Sequence, residues 1–321
     1  MNIGLAFNLQ TDPADERQAE FDPPATIQTV TQAIESLGHH VVPLGAAQDI
    51  LRAPERLRGV ELVFNIAEGD EGRCREAQLP ILLDLFRIPY VGSDALALCV
   101  GLDKVMCKRI ARAEGLATPT WITLDHPAAL PSSIPVAFPV IIKPRWEGSG
   151  RGVDRGAIVN TREELAARAG WLFDRCPGPL LIEEFIDGGE LTVCLIGNDP
   201  PIAYPAIQRP LDPVSRLSCH VVKLGEGRPM TPLTLDPVLD EEARRIALTM
   251  FRALGCRDMA RVDLRVDGAG RAQFLEINPL PSFDPQGSFG LLAEYLGMTY
   301  SDIIKRILDA ADVPRGAINR L

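Results

Sequence analysis

Two short runs near the end of the chain, RVDLRV (261–266) and FLEINP (274–279), set Arg261 with Asp263 and Glu276 with Asn278, each pair two residues apart. In a strand that spacing puts each pair on one face. The intervening DGAG (267–270) reads as a turn, so the two strands pair and three oxygen donors and a guanidinium converge. A few oxygen ligands suit Mg2+, which keeps part of its water shell and is readily shared with phosphates. Any one of these residues alone fits a surface salt bridge better, but the four in one register fit it less well.

A second cluster of chemistry lies in KPRWEGSGRG (143–152). Gly148, Ser149, Gly150 and Gly152 let the backbone approach a ligand closely and offer N–H groups to phosphate oxygens. No Gly-Lys-Ser/Thr follows, so this is not a Walker loop. On the glycines alone an ordinary flexible hairpin is an equally good reading, and Lys143 just before them tilts the balance toward phosphate. In LIEEFIDGGE (181–190), Glu183 and Glu184 fall on opposite faces at the end of an apolar strand, followed by Phe185 and Ile186 and a Gly-Gly turn. A solvated edge explains one of these carboxylates. Apolar walls, a backbone edge and nearby carboxylates together are what a purine nucleoside requires.

The elements that position these groups alternate along the chain. Residues 2–7, 39–45, 61–69 and 88–94 read as strands, and 25–37 and 76–87 as helices, which gives an open, mostly parallel α/β arrangement for the first hundred residues. A helix begins at Asp103 and closes on Gly115. Residues 136–144 and 153–159 form a hairpin around the glycine-rich tip, a helix spans 161–174 and a strand 179–186. Strands follow over 190–207, and 208–234 is a long irregular segment of the kind that is more often functional than incidental. A helix at 238–254, the strands 260–267 and 272–279, and an amphipathic helix at 299–310 complete the chain. No internal repeat or low-complexity segment interrupts this order.

With 321 residues, 46% apolar and 24% charged, the chain supports two or three domains with cores of their own. A net charge of −10 argues against nucleic acid or an anionic membrane as partner, while leaving room for a local phosphate site. Seven scattered cysteines without a CxxC pair read as free thiols rather than disulfides or zinc ligands. Neither a signal peptide nor an apolar run of membrane-spanning length is evident, so a cytoplasmic location is expected.

From about Leu62 onward, the order LVFNIAEG, Lys104, IIKP, EGSGRGV, IEEFIDGGE, ARVDLRVD and FLEINPLP resembles the ATP-grasp ligases, specifically the D-alanine–D-alanine ligase group. The resemblance implies an N-terminal α/β domain (1–100) and two α+β subdomains that clamp ATP, a central one (101–187) and a C-terminal one (188–321) carrying a lid at 208–234. It implies that Lys104, Lys143 and Lys223 contact phosphates, with the 148–153 loop closing over them. Glu183 and Glu190 would hold the adenine amine and ribose, with Glu184, Phe185 and Ile186 lining the adenine slot. Asp263, Glu276 and Asn278 would hold two Mg2+ ions, which Mn2+ could replace. Arg261, Ser149 and Lys223 would be catalytic, with Arg261 and the backbone near Ser282 stabilising an oxyanion. Small amino acids would be the substrates, and a homodimer the assembly.

Several positions depart from the family pattern, and they gather at the amino-acid subsites. The glycine-serine-glutamate-serine run after the first strand is absent; Asp12, Asp15, Glu16, Glu20 and Asp22 are the acidic candidates there, although a solvated loop accounts for most of them. Glu68 replaces a histidine at the end of a parallel strand, where open α/β sheets place ligands. Leu224 stands where the lid has a tyrosine, and the serine expected after the Asn-x-x-Pro run falls at Gly287 or Ser288. These changes spare the ATP site, so an ATP-dependent ligation with altered acyl or amine substrates is expected. A phosphotransferase that stops at the phosphorylated product, or a nucleotide-binding regulator, are the competing readings.

Overall fold

The computed structural model describes residues 1–176, 178–209, 211–212, 214–217 and 235–311. Four parallel strands, β1 (Asn2–Ala6), β2 (His40–Gly45), β3 (Leu62–Asn65) and β4 (Tyr90–Val91), form the first sheet in the order β2-β1-β3-β4. It is covered on both faces, as parallel sheets must be. Ile3, Leu5 and Phe64 enter one core with helix α1 (Pro24–Ser36), while Ala6 and Val63 enter another with α2 (Ala47–Arg52) and α3 (Gln78–Phe86). Pro24 opens α1, and Gly38, at φ +86°, follows its end in the left-handed conformation that glycine tolerates best.

Two consecutive helices, α4 (Ala95–Leu102) and α5 (Lys104–Ala113), are joined at Asp103, whose carboxylate caps α5 by accepting from the Val105 and Met106 amides. Helix α4 was not expected, because ALALCVGL is apolar on every face and shows no amphipathic stripe. The central sheet is antiparallel, ordered β5 (Trp121–Leu124), β8 (Leu180–Glu184), β6 (Val140–Pro144), β7 (Ile158–Val159), with α6 (Arg162–Arg175) on its core face. The hairpin around the glycine-rich tip is present, but its second strand is only two residues long. Asp154 accepts from the Gly156 amide and turns Arg155–Ala157 into a 3-10 helix where a strand was expected.

The third sheet runs β10 (Ile202–Ala203), β9 (Glu190–Ile196), β12 (Met259–Val266), β13 (Ala272–Asn278), with β11 (Ile207–Arg209) also paired to β9. Residues 208 and 209 are thus strand, not irregular loop, and Lys223 and Leu224 lie outside the described residues. Leu191, Val193, Ala260, Val262 and Leu264 point to a core shared with α5 and α7 (Pro237–Ala253). A register shift between Asp263 and Leu264 leaves Leu275 as the extra residue of a bulge, because Glu276 pairs with Asp263 and Phe274 with Leu264. The bulge changes the phase of β13: Phe274 and Ile277 both enter the core, although they are three apart.

Helix α8 (Ser288–Leu296), which like α2 and α4 was not expected, ends at Gly297 with φ +64°. Together with α9 (Tyr300–Ala311) it packs into the same core as β1 and α1. In that core Phe283 meets Phe64 edge-on at 5.1 Å and stacks on Phe289 at 5.5 Å, which anchors the loop after Asn278.

Candidate active site

Alternation along β9 and β12 turns Glu190, Thr192, Arg261, Asp263 and Arg265 away from the core, and the bulge adds Glu276 and Asn278 to that face. Arg261 lies opposite Asn278, and Asp263 opposite Glu276, in the pairing read from the sequence. Asp263 accepts from Thr192 Oγ1 at 2.7 Å, from Arg261 Nη2 at 2.8 Å and from Asn278 Nδ2 at 3.3 Å. Glu276 lies 3.4 Å from Lys104 Nζ. Burial opposes ionisation of Glu276, but Lys104, Lys143 and Arg261 together hold its carboxyl down to about 2. Two carboxylates and an amide thus face one space, with a cation beside each carboxylate. This donor set fits a divalent ion shared with phosphates. Among the described residues no three His, Cys, Asp or Glu side chains converge as a closed metal site, as expected where ligand oxygens complete the shell.

Lys143, at the end of β6, and Lys108, on α5, meet Glu183 at 2.7 and 2.6 Å. Glu183 is 1% exposed and Lys108 fully buried. Burial would raise the Glu183 carboxyl, yet the two lysines outweigh it and lower it. Both oxygens of Glu183 hold lysines, which fixes Lys143 at the cavity wall, and Glu183 itself lines the cavity where the adenine contact was expected. Lys108 was missed, because nothing in the helix sequence shows that its side chain reaches across to β8.

A cavity of about 150 Å3 is lined by Lys104, Lys143, Gly148, Ser149, Gly150, Glu183, Glu184, Phe185, Ile186, Glu190, Arg261, Asp263 and Glu276. Most of the sequence-predicted nucleotide and metal residues thus meet in one place. Ile141, Val153, Leu217 and Leu275 add apolar walls. Glu190 is bonded through Oε2 to Arg265 at 3.2 Å, and Arg265 also donates to the Ile186 carbonyl at 2.8 Å. The amides of Glu184 and Phe185 are already donated, to the carbonyls of Thr120 and Pro139.

The glycine-rich tip departs from expectation at one point. The Gly148 amide donates at 2.7 Å to Glu20, not into the open cleft, and Glu20 also accepts from Arg75 Nη2 at 2.6 Å. Arg75 in turn donates to the Trp146 carbonyl at 3.0 Å. A Cβ at position 148 would lie 2.3 Å from Glu20 Oε1, so this glycine serves a close approach. Gly152 does the same against Pro144, at 2.8 Å, with φ +73°. Glu20 was one of several acidic candidates in a segment read mostly as solvated loop; Arg75 was not singled out.

A second cavity, of about 570 Å3, adjoins the first and shares Lys104, Gly148, Ser149, Arg261 and Glu276 with it. Asp15, Glu16, Glu20, Asp22, Glu68, Glu76, Asn278, Ser282 and Asp284 line its remainder. Glu68 and Ser282 are therefore placed where substrate was expected. Gly287 and Ser288 are not: Gly287 precedes α8 with its amide on the Asp284 carbonyl, and Ser288, 3% exposed, accepts from Arg209. Asp284 and Gln286 line the cavity in their stead, because the loop turns inward before the helix begins.

The family described as "D-ala D-ala ligase C-terminus" matches residues 110–309. The uncharacterized protein y4sG of Sinorhizobium fredii is 30% identical, covering 88% of this chain and 86% of its own length. The D-alanine–D-alanine ligase of Xylella fastidiosa is 34% identical over 78% of this chain and 82% of its own. Among solved structures, D-alanine–D-alanine ligase from Bacillus anthracis complexed with ATP superposes with a TM-score of 0.76 at 22% identity, covering 97% of both chains. VanG D-Ala:D-Ser ligase from Enterococcus faecalis reaches 0.73 at 19% identity, over 97% of this chain and 99% of its own.

Proposed function

We propose, from the premise that this chain belongs to the D-alanine–D-alanine ligase family of ATP-grasp proteins, that it is an ADP-forming ligase joining the carboxylate of one amino acid to the amine of another. The observation that carries this reading is the junction of the two cavities at Lys104, Ser149, Arg261 and Glu276. A nucleotide site that opens directly onto a larger polar cavity is the layout that transfer from ATP to a small acid requires.

The adenine lies against the apolar walls of the smaller cavity, and the free oxygen of Glu190 accepts from the ribose. Lys104, Lys143 and the loop amides beyond Gly148 meet the phosphates. Asp263, Glu276 and Asn278 are the residues that would hold Mg2+, which offsets charge on the transferring phosphoryl group. A carboxylate is a poor electrophile, so an oxygen of the first substrate attacks the γ-phosphorus and the bond to the bridging oxygen breaks, releasing ADP. The amine of the second substrate attacks the acyl carbon, and the carbon–oxygen bond to phosphate breaks. Arg261 keeps Nη1 free of Asp263 and stabilises the oxyanion between these events. Its own charge is secure: burial works against it, but Asp263 and Glu276 raise its pKa. An acyl phosphate hydrolyses readily, so the loop fastened by Glu20 excludes water from one side.

Incubation with ATP, Mg2+ and a panel of D- and L-amino acids tests the reading. Ligation yields ADP, phosphate and a new amide in equal amounts. A stable phosphorylated product would instead identify a phosphotransferase.

A further inference from the structure

The larger cavity is lined by more carboxyl groups than the ligation of alanine-like substrates needs. Of its carboxylates, Glu20 is spent on Arg75 and the Gly148 amide, Asp15 on Arg17, and Glu276 on Lys104. Glu16 and Asp284 are exposed, and Asp284 accepts from the Gln286 amide, so Asp22, Glu68 and Glu76 remain as the enclosed carboxyl groups that line the cavity. Asp22 is 8% exposed and Glu76 7%, and among the described residues neither side chain makes a hydrogen bond or an ion pair. A carboxylate more than nine-tenths buried without a donor is costly, unless a ligand supplies one.

Resting on the ligase reading, we propose that one of the two joined molecules is a basic amino acid, whose α-ammonium and side-chain ammonium or guanidinium are shared among Asp22, Glu68 and Glu76. One carboxylate is enough for an α-ammonium, and the reacting carboxylate is directed to Lys104 and Arg261, where the two cavities meet. The remaining two acids call for a second positive charge. The volume of about 570 Å3 leaves room for a side chain much longer than a methyl group.

The electrostatics of the empty cavity agree with this. Burial, then Glu20, pushes Glu76 up to about 8 against the pull of Arg75 and Lys104. Burial, then Asp284, pushes Asp22 up to about 7. Burial, then Glu76, Glu20 and Asp22, raises Glu68 well above the usual range, with Arg75 opposing. Near neutral pH Glu76, and in part Asp22, carry protons that an arriving cation would displace.

Calorimetric titration of the full chain with Mg2+ and a non-hydrolysable ATP analogue tests the assignment. The probes are ornithine, lysine and arginine in both enantiomers, norvaline and norleucine as uncharged isosteres, and putrescine as a cation without a carboxylate, at pH 7 in buffers of two ionisation enthalpies. At least one basic amino acid should bind more than about tenfold tighter than its isostere, with net proton release. The double variant Asp22→Asn, Glu76→Gln should lose that preference; if it does not fold, the isostere comparison in the unaltered protein decides. Isosteres binding as tightly, no basic amino acid binding, or putrescine binding as tightly as ornithine would each overturn the proposal. Failure of the ligase reading registers separately, as ATP hydrolysis without a new amide, and does not alter these binding ratios.

Discussion

Glu276 answers to two demands, holding Lys104 at 3.4 Å and offering oxygens to a shared cation, and its carboxyl is kept ionised by three nearby cations. Glu276→Gln keeps the shape and removes the charge, so amide formation should fall at least about 100-fold, with the loss partly offset at high Mg2+. Near-normal ADP release in a coupled assay would contradict the metal assignment. Glu76 makes a prediction of the opposite kind. Its carboxyl is raised from the model-peptide range to about 8 in the fold, so the folded state holds a proton that the unfolded chain releases. Its favourable share of stability is therefore full below about pH 4.5 and is lost as pH rises through 8. Glu76→Gln should be more stable than the parent at pH 8.5, by on the order of 2 kcal/mol, and indistinguishable from it near pH 4.5. Thermal melts across that range would show it; an equal gap at both ends would refute it. At this scale the sequence was informative where spacing alone decides geometry, as with Arg261, Asp263, Glu276 and Asn278. It singled out Glu183 but not its partners, because the lysines that claim it come from α5 and β6 and reveal themselves only when those elements pack.

Among elements, the bulge at Leu275 and the fastening of the glycine-rich tip have the clearest consequences. Without the bulge, strict alternation from Phe274 would send Glu276 into the core. No pattern of residue types marked it. The tip was recognisable from its glycines, but the reason for Gly148 was not, since Glu20 arrives from the first sheet's connecting segment. Gly148→Ala and Glu20→Ala should each expose the tip, giving faster tryptic cleavage after Arg151 and a KM for ATP raised several-fold. Both remove the contact between Glu20 and Gly148, but Glu20→Ala also releases Arg75, so the double variant should behave like Glu20→Ala alone. Additive effects would show that Glu20 and Gly148 act independently.

For the whole molecule, three sheets meet so that the smaller cavity lies between the second and third, and the larger one between the first and third. Alternating strands and helices made the first sheet legible. The packing of α8 and α9 onto that sheet was not, because an amphipathic face such as Ile303, Ile304, Ile307 and Leu308 says that it will be covered, without saying by what. That packing fixes Phe283 and with it the wall bearing Ser282 and Asp284. No helix among the described residues is long and apolar enough to cross a membrane.

The most direct measurement follows the carboxylate oxygen. Amino acids labelled with oxygen-18 in the carboxylate, supplied with ATP and Mg2+, should give phosphate carrying one labelled oxygen for each amide formed. Amide formation with unlabelled phosphate, or label retained in a stable phosphorylated product without amide, would contradict ligation through an acyl phosphate.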